Sequence, residues 1–160
     1  MRPRKTGLTH LRADGTLRMV DVGAKPSTAR MASAEARVRM SAQAHRALKS
    51  GSLKKGDALA AARVAGIMAA KRTADLIPLC HPLALTDIDV TIVFVGRDSV
   101  RIRCDASCTG PTGVEMEAMT GAAVAALTIY DMCKALDRGI TIETVGLLEK
   151  AGGASGRWRR

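Results

Sequence analysis

The stretch D-I-D-V-T-I-V-F-V-G-R-D-S-V-R-I-R-C-D-A-S-C at residues 87 to 108 contains two runs in which apolar and polar residues alternate. The apolar positions are Ile88, Val90, Ile92 and Phe94 in the first run and Val100, Ile102, Cys104, Ala106 and Cys108 in the second. Alternation with a period of two is typical of half-buried strands, and the G-R-D between the runs favours a turn. The stretch therefore predicts an antiparallel hairpin with one buried face.

The residues before this hairpin predict one more strand and two helices. Residues 34 to 40, A-E-A-R-V-R-M, alternate in the same way. Ser41 is a suitable N-cap for a short helix that Gly51 ends, and Asp57 is a suitable N-cap for a second helix. The second helix, A-L-A-A-A-R-V-A-G-I-M-A-A-K-R-T-A-D, must end before Pro78, because proline disfavours helical geometry in its predecessor.

The residues after the hairpin predict a long helix and a last strand. T-G-P-T-G ends the alternating pattern, and a helix is then predicted from about Val114 to Leu136. Gly139 ends this helix before the strand I-T-I-E-T-V-G-L-L. The predicted order of elements is the split βαβ arrangement of ferredoxin-like folds with one extra helix. We predict an α+β fold in which a four-stranded antiparallel sheet has helices packed on one face.

The length of 160 residues is that of a single compact domain. We expect an irregular N-terminal arm at 1–30, a single ferredoxin-like domain at 31–150 and a Gly-rich basic tail at 151–160. Apolar residues make up 47% of the chain but aromatic residues only 2%, so small aliphatic side chains must build the core. Helix faces of small residues often serve subunit contacts as well, which suggests an oligomer.

The formal net charge of +10 attracts anions such as nucleic acid, an acidic surface or a phosphorylated metabolite, and charge alone does not choose among them. Part of the excess lies in two terminal clusters that we expect to be solvated tails, Arg2, Arg4 and Lys5 at one end and Arg157, Arg159 and Arg160 at the other. The start M-R-P-R-K-T-G has no apolar segment behind it, so we expect no secretory signal and a cytoplasmic location.

The four cysteines include the pair Cys104 and Cys108, whose spacing admits a metal site. Strand alternation explains the same pair as two small residues on one buried face. The chain has no Cys-x2-Cys pair and no closely spaced histidines, and a cytosolic protein keeps its thiols reduced. We therefore predict neither a metal site nor a disulfide.

The segment L-I-P-L-C-H-P has two prolines that restrict its backbone, so the side chains it presents have little entropy left to lose. Within it, His81 is able to relay a proton near neutral pH or to contact a phosphate. A lone histidine near a helix end is also often a structural hydrogen-bonding group.

Four charged residues of the long helix admit both a structural and a functional interpretation. Asp131 and Lys134 share a face, either as an exposed ion pair or, among apolar neighbours that suggest a buried helix, as functional groups. Glu115 and Glu117 complement the helix dipole and would point about 200° apart. Glu117 and Asp131 would lie about 21 Å apart along the axis, so a site that uses both would join two subunits.

Two basic positions lie in loops that suit anions. Lys55 immediately precedes the helix that begins at Asp57, where a helix N-terminus and a lysine are able to hold phosphate together. Lys150 precedes A-G-G-A-S-G, whose glycines would let backbone amides approach an anion. Each of these two segments can also be an ordinary charged loop. The segment after Lys150 lacks the G-K-[ST] ending of a P-loop.

Five strings of the sequence match the motifs of a known family: L-T-H at 8–10, M-V-D-V-G-A-K at 19–25, K-G-D at 55–57, A-A-K-R-T-A-D-L-I-P-L-C-H-P-L at 69–83 and G-V-E-M-E-A-M-T-G-A-A-V-A-A-L-T-I-Y-D-M-C-K-A at 113–135. Through these strings the chain resembles the cyclic pyranopterin monophosphate synthases of molybdenum cofactor biosynthesis. The resemblance implies a lyase that converts 3′,8-cyclo-7,8-dihydro-GTP into cyclic pyranopterin monophosphate and pyrophosphate without a cofactor. It also implies a homo-oligomer, usually a hexamer built as a trimer of dimers, supplied by a radical S-adenosylmethionine GTP cyclase.

The resemblance assigns roles to residues that match the family's motifs. Its catalytic groups would be Lys55, His81, Glu115, Glu117, Asp131 and Lys134. Its substrate-binding groups would be Leu79, Cys80, His81, Met116, Glu117 and Lys150, with Lys25 as a further candidate for the triphosphate. The tail departs from the family's commoner G-G-K-S-G, because Ala154 stands where lysine is usual.

Two other classes of function share features of this sequence. An RNA-binding module would share the ferredoxin-like sheet and the positive charge, but such sheets stack bases on strand aromatics. The chain offers only Phe94, Tyr130 and Trp158, and it has no R-G-F-G-F-V-like string. A non-catalytic hexameric scaffold is the other alternative, in which Asp131 and Lys134 merely pair.

Overall fold

The computed structural model describes residues 10–12 and 14–160, and these residues form one antiparallel sheet with helices packed against it. The elements are β1 (Thr28–Arg39), α1 (Ala42–Ser50), α2 (Ala58–Ala70), α3 (Thr73–Leu76), β2 (Leu85–Val95), β3 (Ser99–Gly110), α4 (Glu115–Cys133), β4 (Thr141–Ala151) and β5 (Trp158–Arg159). None of the described helices has the length and apolar character needed to cross a bilayer.

The strand order β2-β3-β1-β4-β5 contains the predicted ferredoxin-like arrangement, with β1 between β3 and β4. The α+β prediction is confirmed. The described residues contain five strands instead of four, because the two-residue strand β5 pairs with Glu149 and Lys150 at the outer edge of β4. This strand lies inside the stretch predicted to be a Gly-rich basic tail, where W-R is too short to show alternation.

The predicted hairpin is confirmed, and β3 shows the expected burial of every second residue. β1 pairs with β3 so that Ala36 lies opposite Ile102 and Ala34 opposite Cys104. Because these side chains are small, α4 packs closely onto the inner face of the sheet. The core is built mainly from alanine, valine and isoleucine, as the composition predicts.

Both predicted helix starts are confirmed by capping contacts. The Ser41 hydroxyl accepts from the amide of Ala44, and the Asp57 carboxylate accepts from two amides in the first turn of α2. Gly51 ends α1 in the left-handed region, with φ of 68°. These caps fix the loop that presents Lys55.

The prediction that the second helix continues to Asp75 is wrong. The helix α2 ends at Ala70, and a separate turn, α3, follows. Thr73 is buried at this break, and its hydroxyl donates to the Ala70 carbonyl oxygen. The hydroxyl therefore competes with backbone amides for this acceptor at the end of the helix. Ile77 is extended, as expected of a residue that precedes proline.

The N-terminal arm is described from residue 10, apart from residue 13, and it contains an isolated bridge between Leu11 and Leu17. The strand β1 begins at Thr28, three residues inside the stretch predicted to be irregular, because it pairs with the end of β3 at Gly110. The basic cluster at Arg2, Arg4 and Lys5 lies outside the described residues.

Candidate active site

A cavity of about 420 Å³ opens at the N-terminal end of α4. Residues from the arm, from the L-I-P-L-C-H-P segment and from the start of α4 line it: His10, Val20, Val22, Lys25, Ile77, Leu79, Cys80, His81, Leu83, Thr112, Gly113, Met116 and Glu117. Six of the predicted substrate-binding residues therefore lie together, namely Lys25, Leu79, Cys80, His81, Met116 and Glu117.

The His81 ring connects the proline-braced segment to the arm. Its Nε2 lies 2.7 Å from the Val20 carbonyl oxygen. Because a carbonyl only accepts, Nε2 carries the proton, and in the neutral ring Nδ1 is then an acceptor. One ring nitrogen of His81 therefore makes a structural hydrogen bond, and the ring also lines the cavity.

Glu117 lies in the wall of this cavity with only 4% of its surface exposed. Burial raises the pKa of its carboxyl, and the nearby Glu115 raises that pKa further. Burial also raises the pKa of the Cys80 thiol, with a smaller contribution from the charge of Glu117. The environment of the cavity therefore favours neutral forms of both groups.

Beside the cavity, Glu115 forms a half-buried ion pair with Lys150. The Nζ of Lys150 donates to Oε1 of Glu115 over 2.7 Å. Lys150 lies on β4 opposite Ala32, whose side chain is in the core, so the lysine projects toward the same inner face. Glu115 and Glu117 thus face different surroundings, as their angular separation on the helix predicts.

At the other end of α4, one carboxylate binds two ammonium groups. Oδ1 of Asp131 lies 2.6 Å from Nζ of Lys134, and Oδ2 lies 2.9 Å from Nζ of Lys55. Lys55 also donates to the Asp131 carbonyl oxygen over 2.9 Å. The bonds from Lys134 and Lys55 lower the pKa of Asp131 to about 2, and the pKa of Lys134 is raised by its bond to Asp131.

This cluster of Lys55, Asp131 and Lys134 is more exposed than the apolar flanks of the helix suggest. The Asp131 and Lys134 side chains are 54% and 50% exposed. The expected burial of this part of α4 is therefore wrong for Asp131, because α4 buries the face that carries Ile129 and Cys133 while Asp131 points outward. Lys55 binds this carboxylate, so its ammonium group is not directed at the start of α2.

The two groups of predicted residues lie at opposite ends of one helix. Fourteen residues separate Glu117 from Asp131 on α4, which corresponds to about 21 Å. One chain therefore brings together the cavity residues, and separately the Lys55 cluster, but not both around one small ligand.

Some residues that line the cavity were not predicted from the sequence as site residues. His10 is contributed by the arm, and Thr112 and Gly113 by the segment that leads into α4. The L-T-H and T-G-P-T-G strings were the available signals, but nothing in either string indicates a contact with residues some seventy positions away. Such contacts depend on the sheet that brings the arm and β3 together.

The glycine turn after β4 is tightly packed. Gly152 and Gly153 have φ of 104° and 68°, a region that disfavours other residues. A Cβ on Gly152 would lie 2.1 Å from the Ala29 carbonyl oxygen. The glycines are thus required by close packing against β1, and Ala154, at the position that the resemblance questions, is exposed.

The described residues contain no group of three or more His, Cys, Asp and Glu side chains arranged for a metal ion. All four cysteines are free thiols. Cys104 and Cys108 are buried on the inner face of β3, as strand alternation predicts. Phe94, an aromatic that an RNA-binding sheet would need, packs edge-on against the buried His45 at 5.1 Å between ring centroids.

Comparison with known proteins relates the chain to a protein family and to a curated relative. The family model described as "MoaC family" matches residues 19–153. A curated relative from Novosphingobium aromaticivorans is named cyclic pyranopterin monophosphate synthase. It is 57% identical over 152 residues, which cover 95% of this chain and 96% of the relative.

Proposed function

The chain belongs to the MoaC family, and from this premise we propose that it is a cyclic pyranopterin monophosphate synthase of molybdenum cofactor biosynthesis. Its substrate is 3′,8-cyclo-7,8-dihydro-GTP, and its products are cyclic pyranopterin monophosphate and pyrophosphate. The observation that carries the proposal is the family match, because residues 19–153 include every predicted site residue from Lys25 to Lys150.

The reaction is that of a phosphorus–oxygen lyase. The dihydropurine ring opens and recloses as a pterin, which requires protons to be added and removed at ring atoms. A ribose hydroxyl then attacks the α-phosphorus and loses its proton, while the bond to the bridging oxygen breaks and pyrophosphate leaves with the electron pair. Cationic side chains stabilise the charge that develops on the leaving group.

The Lys55 cluster supplies proton transfer in this scheme. Asp131 is ionised throughout the neutral range, so it accepts hydrogen bonds and holds both ammonium groups in place. Lys55 and Lys134 are then the proton donors. A lysine that has given up its proton is held by Asp131 in position to take one back.

The cavity supplies recognition and a second acid–base group. Glu117 is buried beside Cys80, and its raised pKa favours a protonated carboxyl that both donates and accepts. His81 offers its free ring nitrogen, and the apolar Leu79 and Met116 provide walls for a flat ring. Lys25 and, after release from Glu115, Lys150 neutralise phosphate charge.

Several further properties belong to this proposal. The enzyme needs no cofactor, acts in the cytoplasm, and receives its substrate from a radical S-adenosylmethionine GTP cyclase. It is a homo-oligomer, a hexamer arranged as a trimer of dimers. Its complete site combines the cavity of one subunit with the Lys55 cluster of another.

The test is pyrophosphate release from anaerobically supplied 3′,8-cyclo-7,8-dihydro-GTP. We expect turnover by the wild-type chain and a loss of at least about 100-fold in the Asp131→Asn variant, because an amide cannot bind two ammonium groups as a carboxylate does. The matched control is Asp87→Asn on the edge strand β2, which should keep wild-type activity. A scaffold without activity would release no pyrophosphate, and full activity of Asp131→Asn would refute the role of the cluster.

A further inference from the structure

Arg30 extends the buried stripe of β1 toward the cavity end of the sheet. Ala32, Ala34 and Ala36 occupy the helix-covered face, and Arg30 has the same parity on the strand. It lies opposite Cys108 of β3, near the point where the chain leaves the sheet for α4. A cationic side chain thus occupies a position where the pattern of the strand calls for a small apolar one.

The guanidinium group of Arg30 binds the segment that leads into α4. Nε donates to the Gly110 carbonyl oxygen over 3.4 Å, and Nη2 donates to the Pro111 carbonyl oxygen over 3.3 Å. The next residues of this segment, Thr112 and Gly113, line the cavity. Arg30 therefore holds the cavity wall from behind, through its backbone.

The same segment also touches Glu115. A Cβ on Gly113 would lie 1.9 Å from Oε2 of Glu115, so the carboxylate packs directly on this glycine. Glu115 in turn binds Lys150 on the neighbouring strand. A displacement of the 110–113 segment would consequently move the carboxylate and the lysine that it binds.

On its other side, Arg30 packs against the glycine turn that follows Lys150. A Cβ on Gly153 would lie 1.7 Å from Nη1 of Arg30. One planar group therefore contacts the segments on both sides of the Glu115–Lys150 pair, which are otherwise separated along the chain.

We propose that Arg30 is a positioning residue of the site: it sets the 110–113 segment and the Gly152–Gly153 turn at the spacing in which Glu115, Lys150 and the cavity wall are aligned for substrate. The expected effect of Arg30 on turnover rests on the proposed function. Its effect on the 110–113 segment rests only on the contacts described above. Lysine cannot replace Arg30, because its ammonium is a point charge without the planar fork that reaches two carbonyls and a turn together.

The test compares Arg30→Lys with Arg39→Lys, a matched change on the same strand. Arg39 lies on the opposite face, where it is exposed and pairs with Glu143. For Arg30→Lys we expect kcat to fall about 10- to 100-fold, as for other small displacements of a site, with KM within about threefold of wild type. Hydrogen–deuterium exchange should be faster in peptides that cover 110–118. Arg39→Lys should change neither quantity.

Added guanidinium ion should partly restore the activity of Arg30→Ala, because it can occupy the space between the Gly110 and Pro111 carbonyls. A rise in KM at unchanged kcat would overturn the proposal, since it would make Arg30 a direct ligand of substrate. Unchanged exchange at 110–118 in Arg30→Lys would also overturn it. If the wild-type chain itself releases no pyrophosphate, the proposed function fails while the exchange measurement still decides the positioning role.

Discussion

Two carboxylates on the same helix have pKa values that are shifted in opposite directions. Asp131 accepts from Lys134 and Lys55, which lowers its pKa to about 2 and keeps it ionised. Glu117 is buried, and its pKa is raised. Groups whose surroundings separate their pKa values in this way are suited to different roles, one as a fixed anion and one as a proton carrier.

The burial of Glu117 has a measurable cost at high pH. Its raised pKa means that the folded chain holds the proton more tightly than the unfolded chain, so stability falls as pH rises from the unfolded value through the folded value. Glu117→Gln keeps the shape without the charge. We expect its melting temperature to match wild type near about pH 4 and to exceed it near about pH 8, because the variant carries no charge that must be buried.

Glu149 provides a control, because its pKa is shifted in the opposite direction to that of Glu117. Its pKa is lowered, chiefly by the hydrogen bond from Arg157, so the stability that its charge contributes is present at neutral pH and lost as pH falls through the folded value. Glu149→Gln should therefore be less stable than wild type near neutral pH and approach it in acid. Parallel trends for the two variants would contradict a raised pKa for Glu117 in the folded chain.

At the scale of elements, the contact between α2 and α4 depends on two glycines. A Cβ on Gly66 would lie 2.9 Å from the Gly121 carbonyl oxygen, and a Cβ on Gly121 would lie 2.5 Å from Sγ of Cys104. The helices therefore approach each other and the sheet more closely than any larger residue allows. This packing fixes the axis of α4 and hence the positions of both of its functional ends.

Substitution of Gly121 by alanine should destabilise the fold despite the better helix propensity. Overpacking costs about 1–3 kcal/mol, against a gain of about 1 kcal/mol from propensity. The combined variant Cys104→Ala/Gly121→Ala should recover part of the loss, because the added methyl then occupies the space of Sγ. Urea denaturation of the two single variants and the combined one measures this coupling, and strictly additive changes would argue against the contact.

The elements that the sequence predicted well are those with local signals. The hairpin follows from alternation, and the starts of α1 and α2 follow from Ser41 and Asp57, whose capping contacts lie within three residues. The break after Ala70 was missed because A-A-K-R-T-A-D favours helix throughout, and only the buried Thr73 marks the turn. The strand β5 was missed because two residues carry no period.

The site was predictable as a set of residues but not as an arrangement. Motifs identified Lys55 and Asp131, yet their contact joins positions 76 apart and follows from the packing of α2 on α4. The bond between His81 and Val20 joins positions 61 apart. Arg30 was not identified, because a charged residue at the start of a strand is ordinary until the segment at 110–111 and the turn at 152–153 are seen around it.

At the scale of the whole molecule, the separation of the two ends of α4 is the central constraint. About 21 Å along a straight helix exceeds the reach of side chains around one nucleotide-sized ligand, so a single chain offers either the cavity or the Lys55 cluster to a given substrate. The homo-oligomer proposed above would resolve this by placing the end of one α4 beside the start of another. The net charge of +10 suits such a shared site for a triphosphate.

Complementation between inactive variants distinguishes a shared site from a site within one chain. Glu117→Gln removes the acid of the cavity, and Asp131→Asn disables the cluster at the other end. If each site takes one end from each of two subunits, a mixed pair has one site with both defects and one with none. Equal co-expression with random pairing should then restore about a quarter of wild-type pyrophosphate release, since half of the pairs are mixed and each has one intact site of two.

The control pairs Asp131→Asn with Lys134→Met, two changes within one cluster. Both residues lie on the same chain, so every site in a mixed assembly retains one of the two defects and no recovery is expected. If the Glu117→Gln and Asp131→Asn mixture stays as inactive as this control while mixed assemblies are demonstrated by two affinity tags, the site lies within one chain. In that case one of the two substitutions abolishes activity through the fold and not at the substrate, because the helix is too long to present both ends to one ligand.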